Sequence, residues 1–278
     1  MVREYYKTRF PLDLVYLFLE AVTGLSLEGH SRLYHEDFSF VTNGEWNRNN
    51  RMCRKEMRTF LEYSLVDEIH FGCIYRYPPY IRGNDNREVM VAAFARKFEI
   101  DLNQFEDRKC CGKEKKICPI CWDDLGLRIV SCIEGGYAEW GMTKKPFLFF
   151  SGNKSIYVYI SCPLYRHLPA FSLLEMIKKK MAESVPQITF DEGVSAFNHA
   201  LKVPFSYNSK SNQLVRPITQ RYRTYEDLNK SLNECMRTKR VCVQTGRIIN
   251  INHVWEEIVK DFQTEINQCI NQTITTDQ

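Results

Sequence analysis

The chain has 278 residues, of which 44% are hydrophobic and 26% charged, and its formal net charge at pH 7 is +4. This composition predicts a soluble globular protein of one large domain or two small ones, and it excludes a low-complexity or repetitive chain. No apolar run approaches the ~20 residues that a membrane span requires. The first ten residues, MVREYYKTRF, lack the apolar segment and cleavage site of a secretory signal.

Helices and short strands alternate along the predicted chain. The first half predicts helices at 12–25 and 53–63 and strands at 37–41, 68–77 and 94–101, with a turn at Asn43-Gly44. The second half predicts helices at 122–134 and 171–182, and strands at 147–150 and 156–160 on either side of a tight turn. Two amphipathic segments, at 225–237 and 254–270, predict packing or partner-facing helices.

The strand predicted at 94–101 carries two carboxylates. Glu99 and Asp101 are two residues apart, so they project from one face, while Ile100 points the other way into a core. Two convergent carboxylates are the ligands that a hard cation such as Mg²⁺ or Mn²⁺ prefers. A solvated strand edge is the alternative explanation, because an E-x-D triplet is common.

Four cysteines follow this strand within twelve residues, at 110, 111, 118 and 121. Tetrahedral thiolate coordination suits Zn²⁺, and the C-P-I-C spacing of Cys118 and Cys121 is typical of a knuckle that directs two sulfurs at one ion. Buried free cysteines and two disulfides are the alternatives. Disulfides fit poorly, because the chain lacks a signal for export to an oxidising compartment.

Three further features are candidates for binding phosphate. The turn at 151–155, SGNKS, can direct backbone N–H groups, a hydroxyl and a lysine at an anion, although an ordinary hairpin explains it equally. Asp191 supplies a later carboxylate and is followed by the basic residue Lys202. Arg48 is one of three arginines after the first predicted hairpin, where a merely solvated basic segment is the alternative.

In its order of motifs the chain resembles the small, catalytic subunit of eukaryotic-type DNA primase, in the archaeo-eukaryotic primase superfamily. The resemblance covers about residues 5 to 218, and its most specific part is the cysteine cluster after the acidic strand. The matching segments are YYKTRFP at 5–11, DFSF at 37–40, HFGCIYRYP at 70–78, FEIDLNQFED at 98–107, CCGKEKKICPICW at 110–122, FFSGNKSIYVYI at 149–160 and HALKVPFSYNSKSNQLVRPI at 199–218.

The resemblance implies a single catalytic domain over 1–278 with a mixed α/β (α+β) fold. Its antiparallel sheet carries the site, helices flank it, a small zinc knuckle spans 108–124, and a helical segment covers about 220–278. The implied activity is synthesis of short RNA primers from ribonucleoside triphosphates on a single-stranded DNA template, by two-metal nucleotidyl transfer. The implied partners are the large primase subunit and the DNA polymerase alpha complex, and the implied location is the nucleus.

The resemblance also implies roles for individual residues. Glu99 and Asp101 stand at the family's metal-binding D-x-D, and Asp191 is the best candidate for its third carboxylate, which together would hold Mg²⁺ or Mn²⁺. The implied nucleotide-binding residues are Arg48, Ser151, Asn153, Lys154, Tyr157, Lys202 and Asn208. The implied ligands of structural Zn²⁺ are Cys110, Cys111, Cys118 and Cys121.

Several of these positions depart from the family pattern. Glu99 replaces an aspartate, Asn153 and Lys154 replace two arginines, and Tyr157 and Asn208 replace histidines. An active, divergent primase is favoured because all three carboxylate positions remain acidic. A catalytically weakened paralogue that binds nucleic acid or scaffolds a primase/polymerase complex is the main alternative. An unrelated zinc-ribbon interaction protein would require seven ordered matches to be coincidence.

Overall fold

The computed structural model describes residues 1–25, 34–76, 91–102, 116–161, 170–185, 188–191, 200–229, 240–241, 248–249 and 253–276. Within these ranges, no helix is both long enough and apolar enough to cross a membrane. The helices are α1 (Val2–Thr8), α2 (Leu12–Thr23), α3 (Arg54–Tyr63), α4 (Pro119–Cys121), α5 (Leu127–Gly136), α6 (Ala170–Ser184), α7 (Tyr225–Leu228) and α8 (His253–Thr276). A π-helical turn, Trp122–Gly126, joins α4 to α5.

In the described part of the chain, the strands are β1 (Tyr34–Thr42), β2 (Glu45–Met52), β3 (Glu68–Arg76), β4 (Val91–Phe94), β5 (Arg96–Asp101), β6 (Phe147–Phe150), β7 (Ser155–Ile160), β8 (Leu201–Lys202), β9 (Tyr207–Asn208), β10 (Gln213–Leu214), β11 (Arg216–Pro217), β12 (Arg240–Val241) and β13 (Ile248–Ile249). These strands form two larger antiparallel sheets and two short pairs. The first sheet has the order β2-β1-β3-β4, and the second has the order β11-β6-β7-β5. Strand β8 pairs with β3, whereas β9 pairs with β10 and β12 with β13.

The second sheet lies between two hydrophobic cores. Along β7, Tyr157 and Tyr159 belong to the first core, whereas Ile156 and Val158 belong to the second. The first core also takes side chains from α1, α2, α8 and the first sheet, and the second takes them from the π-helical turn, α5 and α6. Because both of its faces are covered, β7 is apolar along most of its length rather than alternating with polar residues.

Local signals account for several element boundaries. Helix α2 ends at Gly24, whose φ of 69° is left-handed and whose N–H donates to the Glu20 carbonyl. Helix α3 begins after Cys53, whose backbone N–H donates to the Glu56 carboxylate at 2.8 Å. The predicted turn between β1 and β2 is confirmed, with both Asn43 and Gly44 at positive φ as a two-residue hairpin requires.

The prediction of a mixed α/β fold with antiparallel sheets and flanking helices is confirmed. The strand predicted at 94–101 is confirmed over 96–101, which pairs with β7 in the second sheet, but its first two residues do not belong to it. Phe94 ends β4, which pairs with β3 in the first sheet, and the chain crosses between the sheets at Ala95. The predicted helix at 225–237 is helical over Tyr225–Leu228, and its residues 230–237 lie outside the described part of the chain.

Candidate active site

Glu99 and Asp101 project from one face of β5, as predicted, while Ile100 is buried in the second core behind them. Glu99 is half-buried, and the Asp101 carboxylate is largely buried. Strand β5 pairs with β7 along one edge, placing Glu99 opposite Tyr157 and Asp101 opposite Ser155. The alternative of a freely solvated strand edge is therefore wrong.

A short segment, 188–191, pairs with the other edge of β5 through an antiparallel bridge. The Asp101 N–H donates to the Thr189 carbonyl at 3.1 Å, and the Asp191 N–H donates to the Glu99 carbonyl at 3.0 Å. This hydrogen-bond pattern sets Asp191 directly across from Glu99, where side chains share one face of the sheet. Asp191, about ninety residues later in the sequence, thus becomes a neighbour of Glu99 and Asp101 at one end of β5.

These acidic groups influence one another electrostatically. Burial raises the pKa of Glu99, and the charges of Asp191 and Asp101 raise it further. A hydrogen bond with Ser155 and the positive charge of Lys202 act in the opposite direction. Additional positive charge placed among these carboxylates would therefore be stabilised.

The turn between β6 and β7 closes the same end of the sheet. Gly152 has a φ of 81°, and the Ser155 N–H donates to the Ser151 hydroxyl at 3.0 Å. From β9, the Asn208 side-chain amide donates to the Ser151 carbonyl at 2.9 Å. Both Ser151 and Asn208 are buried, so they hold the turn in place from within.

The turn is also tied directly to the acidic strand. The Leu102 N–H, just past β5, donates to the Lys154 carbonyl, and the Ile117 N–H donates to the Asn153 carbonyl, each at 3.0 Å. The ammonium group of Lys154 forms an ion pair with Asp101, with 2.9 Å between Nζ and Oδ2. The lysine of the predicted phosphate-binding turn is therefore held against a predicted metal ligand.

A second polar cluster positions Lys202. The buried carboxylate of Glu68 lies 3.3 Å from Lys202 Nζ and 3.0 Å from His70 Nε2. Its other oxygen accepts hydrogen bonds from the backbone N–H and the hydroxyl of Ser209, at 2.8 and 2.7 Å. Lys202 and His70 are directly opposite each other in the pairing of β8 with β3.

The charges in this cluster follow from its surroundings. Burial alone would raise the pKa of Glu68, but the bonds from His70 and Ser209 and the charge of Lys202 outweigh it and lower the pKa to about 2. Burial lowers the pKa of His70, despite its bond to Glu68, so the ring is neutral at pH 7 and donates through Nε2–H. Lys202 is thus the charged partner of Glu68.

Two predicted nucleotide-binding residues lie apart from the turn. Tyr157 is buried in the first core beside Glu99, and burial raises the pKa of its hydroxyl well above the ordinary value. Arg48 is exposed on β2 in the first sheet, where its guanidinium lies 5.5 Å from the centre of the Trp46 ring. The nucleotide-binding roles of both residues remain predictions.

The predicted zinc site is described only in part, because Cys110 and Cys111 lie outside the described residues. Neither Cys118 nor Cys121 forms a disulfide. Cys118 precedes α4, and its sulfur accepts a hydrogen bond from the Cys121 N–H at 3.4 Å. An N–H donated to sulfur favours the thiolate form that a metal requires, and this pair therefore fits two positions of a zinc site.

The three carboxylates supply hard oxygen ligands that suit Mg²⁺ or Mn²⁺. Across the described ranges, no three His, Cys, Asp or Glu side chains are gathered into a group that could hold a metal as they stand. One oxygen of Asp101, Oδ2, is engaged by Lys154. A cation bound through that oxygen would replace the ammonium group, and the charge of the cation would also offset the cost of ionising Glu99.

Sequence reasoning did not single out Glu68, His70, Ser209 or Trp46. The first two stand two residues apart on a predicted strand, and two polar side chains on one face of an otherwise apolar strand are a usable signal. Nothing local to Trp46 or Ser209 predicts their neighbours, since those come from other strands.

No family model matches the chain. Among solved structures, the chain is similar to the polymerase domain of Mycobacterium tuberculosis ligase D in complex with DNA, with 11% sequence identity and a TM-score of 0.47. The alignment covers 94% of this chain and 88% of that chain. A similarity at this level assigns neither a family nor an activity.

Proposed function

We propose that this chain is a primase-type nucleotidyltransferase that makes short RNA primers on single-stranded DNA. The observation that carries the proposal is the meeting of Glu99, Asp101 and Asp191 on one face of the sheet, with Lys154 and Lys202 close by. Acidic groups beside basic ones are what transfer of a nucleotide from a triphosphate requires, because metal and phosphate must be held together.

In this proposal the three carboxylates hold Mg²⁺ or Mn²⁺, which when bound supplies charge to activate a 3′-hydroxyl and neutralise the triphosphate. Lys154 leaves Asp101 and turns its ammonium group to the phosphates. Lys202 keeps a second positive charge near them, held by Glu68. The turn at 151–154 carries Lys154 from a fixed position, because Asn208 and β5 hold the turn on two sides.

We further propose that Cys118 and Cys121, with Cys110 and Cys111, bind a structural Zn²⁺. The Cys121 N–H bond to the Cys118 sulfur supports this assignment. The proposed partners are the large primase subunit and the DNA polymerase alpha complex, by the resemblance of the sequence. Location in the nucleus is proposed on the same ground.

A second function, a nucleic-acid-binding or scaffolding subunit with weakened catalysis, is favoured by one observation. The Lys154 ammonium group is already paired with Asp101 at 2.9 Å. The Lys154 ammonium group would compete with a metal ion for the Asp101 carboxylate and would lower the occupancy of the metal site.

The test is primer synthesis on single-stranded polypyrimidine DNA with labelled ribonucleotides and Mg²⁺ or Mn²⁺. We expect Asp101→Asn to lower the rate of primer synthesis by about 100-fold or more, because it replaces a charged metal ligand with a neutral side chain of the same size. Asp124→Asn, at an exposed acidic residue on the π-helical turn, is the matched control and should retain full activity.

The assay is run with and without a co-purified large subunit, and the zinc content of every preparation is measured. Synthesis by the Asp101→Asn variant at the wild-type level would refute the metal assignment. No synthesis from folded, zinc-loaded wild type in its complex would instead support the second function.

A further inference from the structure

Trp46 differs from the other tryptophans of the chain in being exposed. The chain has four tryptophans, of which Trp122, Trp140 and Trp255 are buried at 0%, 3% and 6% relative exposure, whereas Trp46 is 50% exposed. Trp46 lies on β2, the strand at one end of the described order of the first sheet. A half-exposed indole on a polar hairpin combines a large apolar face with a polar N–H at the surface, a combination that is enriched in binding surfaces.

The exposed ring is nevertheless held in place from below. Its centre lies 4.5 Å from the centre of the His70 ring, which is buried on β3. The His70 ring is fixed in turn by its hydrogen bond to Glu68. Trp46 therefore offers a largely preorganised aromatic surface, which reduces the entropy lost when a flat ligand stacks on it.

The same contacts lead from Trp46 to the carboxylates. His70 stands opposite Lys202 in the pairing of β3 with β8, and both contact Glu68. The charge of Lys202 in turn acts on Glu99. Trp46, His70, Glu68 and Lys202 thus form a row of contacting side chains, and the charge at the end of that row acts on Glu99 of the proposed site of nucleotidyl transfer.

The surroundings of Trp46 indicate the chemistry of its ligand. The Arg48 guanidinium lies over the ring, 5.5 Å from its centre, so a planar aromatic surface is combined with positive charge. Nucleobases stack on both indole and guanidinium planes, and the arginine can also meet the adjoining phosphate. A ring that is half exposed on a strand surface suits an extended polymer, whereas a free nucleotide favours an enclosed pocket.

We infer that Trp46, with Arg48, stacks on a base of the single-stranded DNA template. The inference rests on the proposed function for the identity of the strand as template. It adds a binding element for that strand which the motifs of the sequence did not include.

The experiment titrates the full-length chain with an oligothymidylate of about 8 nucleotides, within the ~4 to 16 that one stacking groove covers. Binding is followed by tryptophan fluorescence and by the anisotropy of labelled oligothymidylate, without divalent metal or triphosphate. Because the other three tryptophans are buried, we expect quenching to report Trp46. Trp46→Ala should abolish the quenching and weaken binding about tenfold, the equivalent of ~1.4 kcal/mol of stacking.

Trp46→Phe, which keeps an aromatic face, should bind nearly as tightly as wild type. Tyr63→Ala removes a 75% exposed aromatic residue from α3 and is the matched control, expected to leave binding unchanged. All variants are first shown to unfold cooperatively. Wild-type affinity in Trp46→Ala, or equal losses in Trp46→Ala and Trp46→Phe, would overturn the inference.

Titration with a ribonucleoside triphosphate alone tests whether the base that stacks on Trp46 belongs to the template strand or to a free nucleotide. Quenching by the triphosphate but not by oligothymidylate would overturn the assignment to the template. Failure of the proposed function can be distinguished from failure of this inference. If the chain binds oligothymidylate through Trp46 but makes no primers, the proposed catalysis is refuted and the proposed binding surface is retained.

Discussion

Glu68 is a buried acid on which several neighbouring groups depend. It accepts hydrogen bonds from Ser209, is bonded to His70 and forms an ion pair with Lys202. These groups lower its pKa from the ordinary 4.5 to about 2, so its charge stabilises the folded chain. That contribution is complete above pH 4.5 and is lost as the pH falls towards 2.

We expect Glu68→Gln to destabilise the chain at pH 7 by about 2 kcal/mol, because it leaves the largely buried Lys202 without its counter-charge. The difference between wild type and variant should narrow between pH 4.5 and pH 2, where wild-type Glu68 itself becomes protonated. Denaturant unfolding of both proteins at several pH values in this range measures the difference between their free energies of unfolding. A difference that stays constant throughout would show that the charge of Glu68 does not contribute.

At the scale of elements, the turn between β6 and β7 depends on Gly152. Its φ of 81° is strained for other residues, and a Cβ there would lie 3.1 Å from both the Leu214 carbonyl oxygen and the Gln213 Cβ. The turn also anchors Lys154 against Asp101. Strain at Gly152 would therefore reach the proposed binding site.

We expect Gly152→Ala to lower stability by about 1 to 2 kcal/mol, through the left-handed backbone and the close contact, and to weaken binding of a ribonucleoside triphosphate. Gly135→Ala is the matched control. It lies in α5 with nothing within 4 Å of a new Cβ, and it should be neutral or stabilising by up to about 1 kcal/mol. Equal effects of the two substitutions in thermal unfolding and triphosphate titration would contradict the role of the turn.

At the scale of the whole molecule, α8 packs the end of the chain against its beginning. Phe262 contacts Phe18 of α2 and Phe149 of β6, and Trp255 contacts Tyr5 of α1. The C-terminal helix predicted at 254–270 is thus part of the first core. The alternative of a helix that only faces a partner is wrong for this segment.

The polar side of α8 makes this packing sensitive to pH. Burial raises the pKa of Glu265 to about 7, with Glu134 and Asp261 adding to the rise and Lys145 and Arg223 opposing it. A raised pKa means that the folded chain retains a proton which the unfolded chain releases. Stability from this group is therefore complete below pH 4.5 and is lost as the pH rises through about 7.

We expect Glu265→Gln to match the wild-type melting temperature near pH 4.5 and to exceed it near pH 8, since glutamine resembles the protonated acid. Melting temperature against pH measures this, with Glu256→Gln, an exposed residue of the same helix, as the control that should follow wild type. Parallel curves for wild type and Glu265→Gln would refute the ionisation of Glu265 as the cause.

The sequence by itself determined what depends on near neighbours in the chain. The alternation around Ile100 predicted which face Glu99 and Asp101 share, and Asn43-Gly44 and the turn at 151–155 predicted two hairpins. The end of α2 near Gly24 was predicted because a C-terminal cap acts within one turn of backbone. These features are local because side-chain periodicity and backbone sterics are local.

Only the tertiary structure decided which distant segments meet. In the tertiary structure, Asp191 lies across from Glu99, and Glu68 forms an ion pair with Lys202. The Trp46 ring contacts His70, and the chain passes from the first sheet to the second at Ala95. Every strand presents the same row of backbone N–H and C=O groups along its edge, so the sequence of one strand does not determine which strand pairs with it. The pairing is determined by which arrangement buries the apolar side chains of both cores, and that depends on the whole chain.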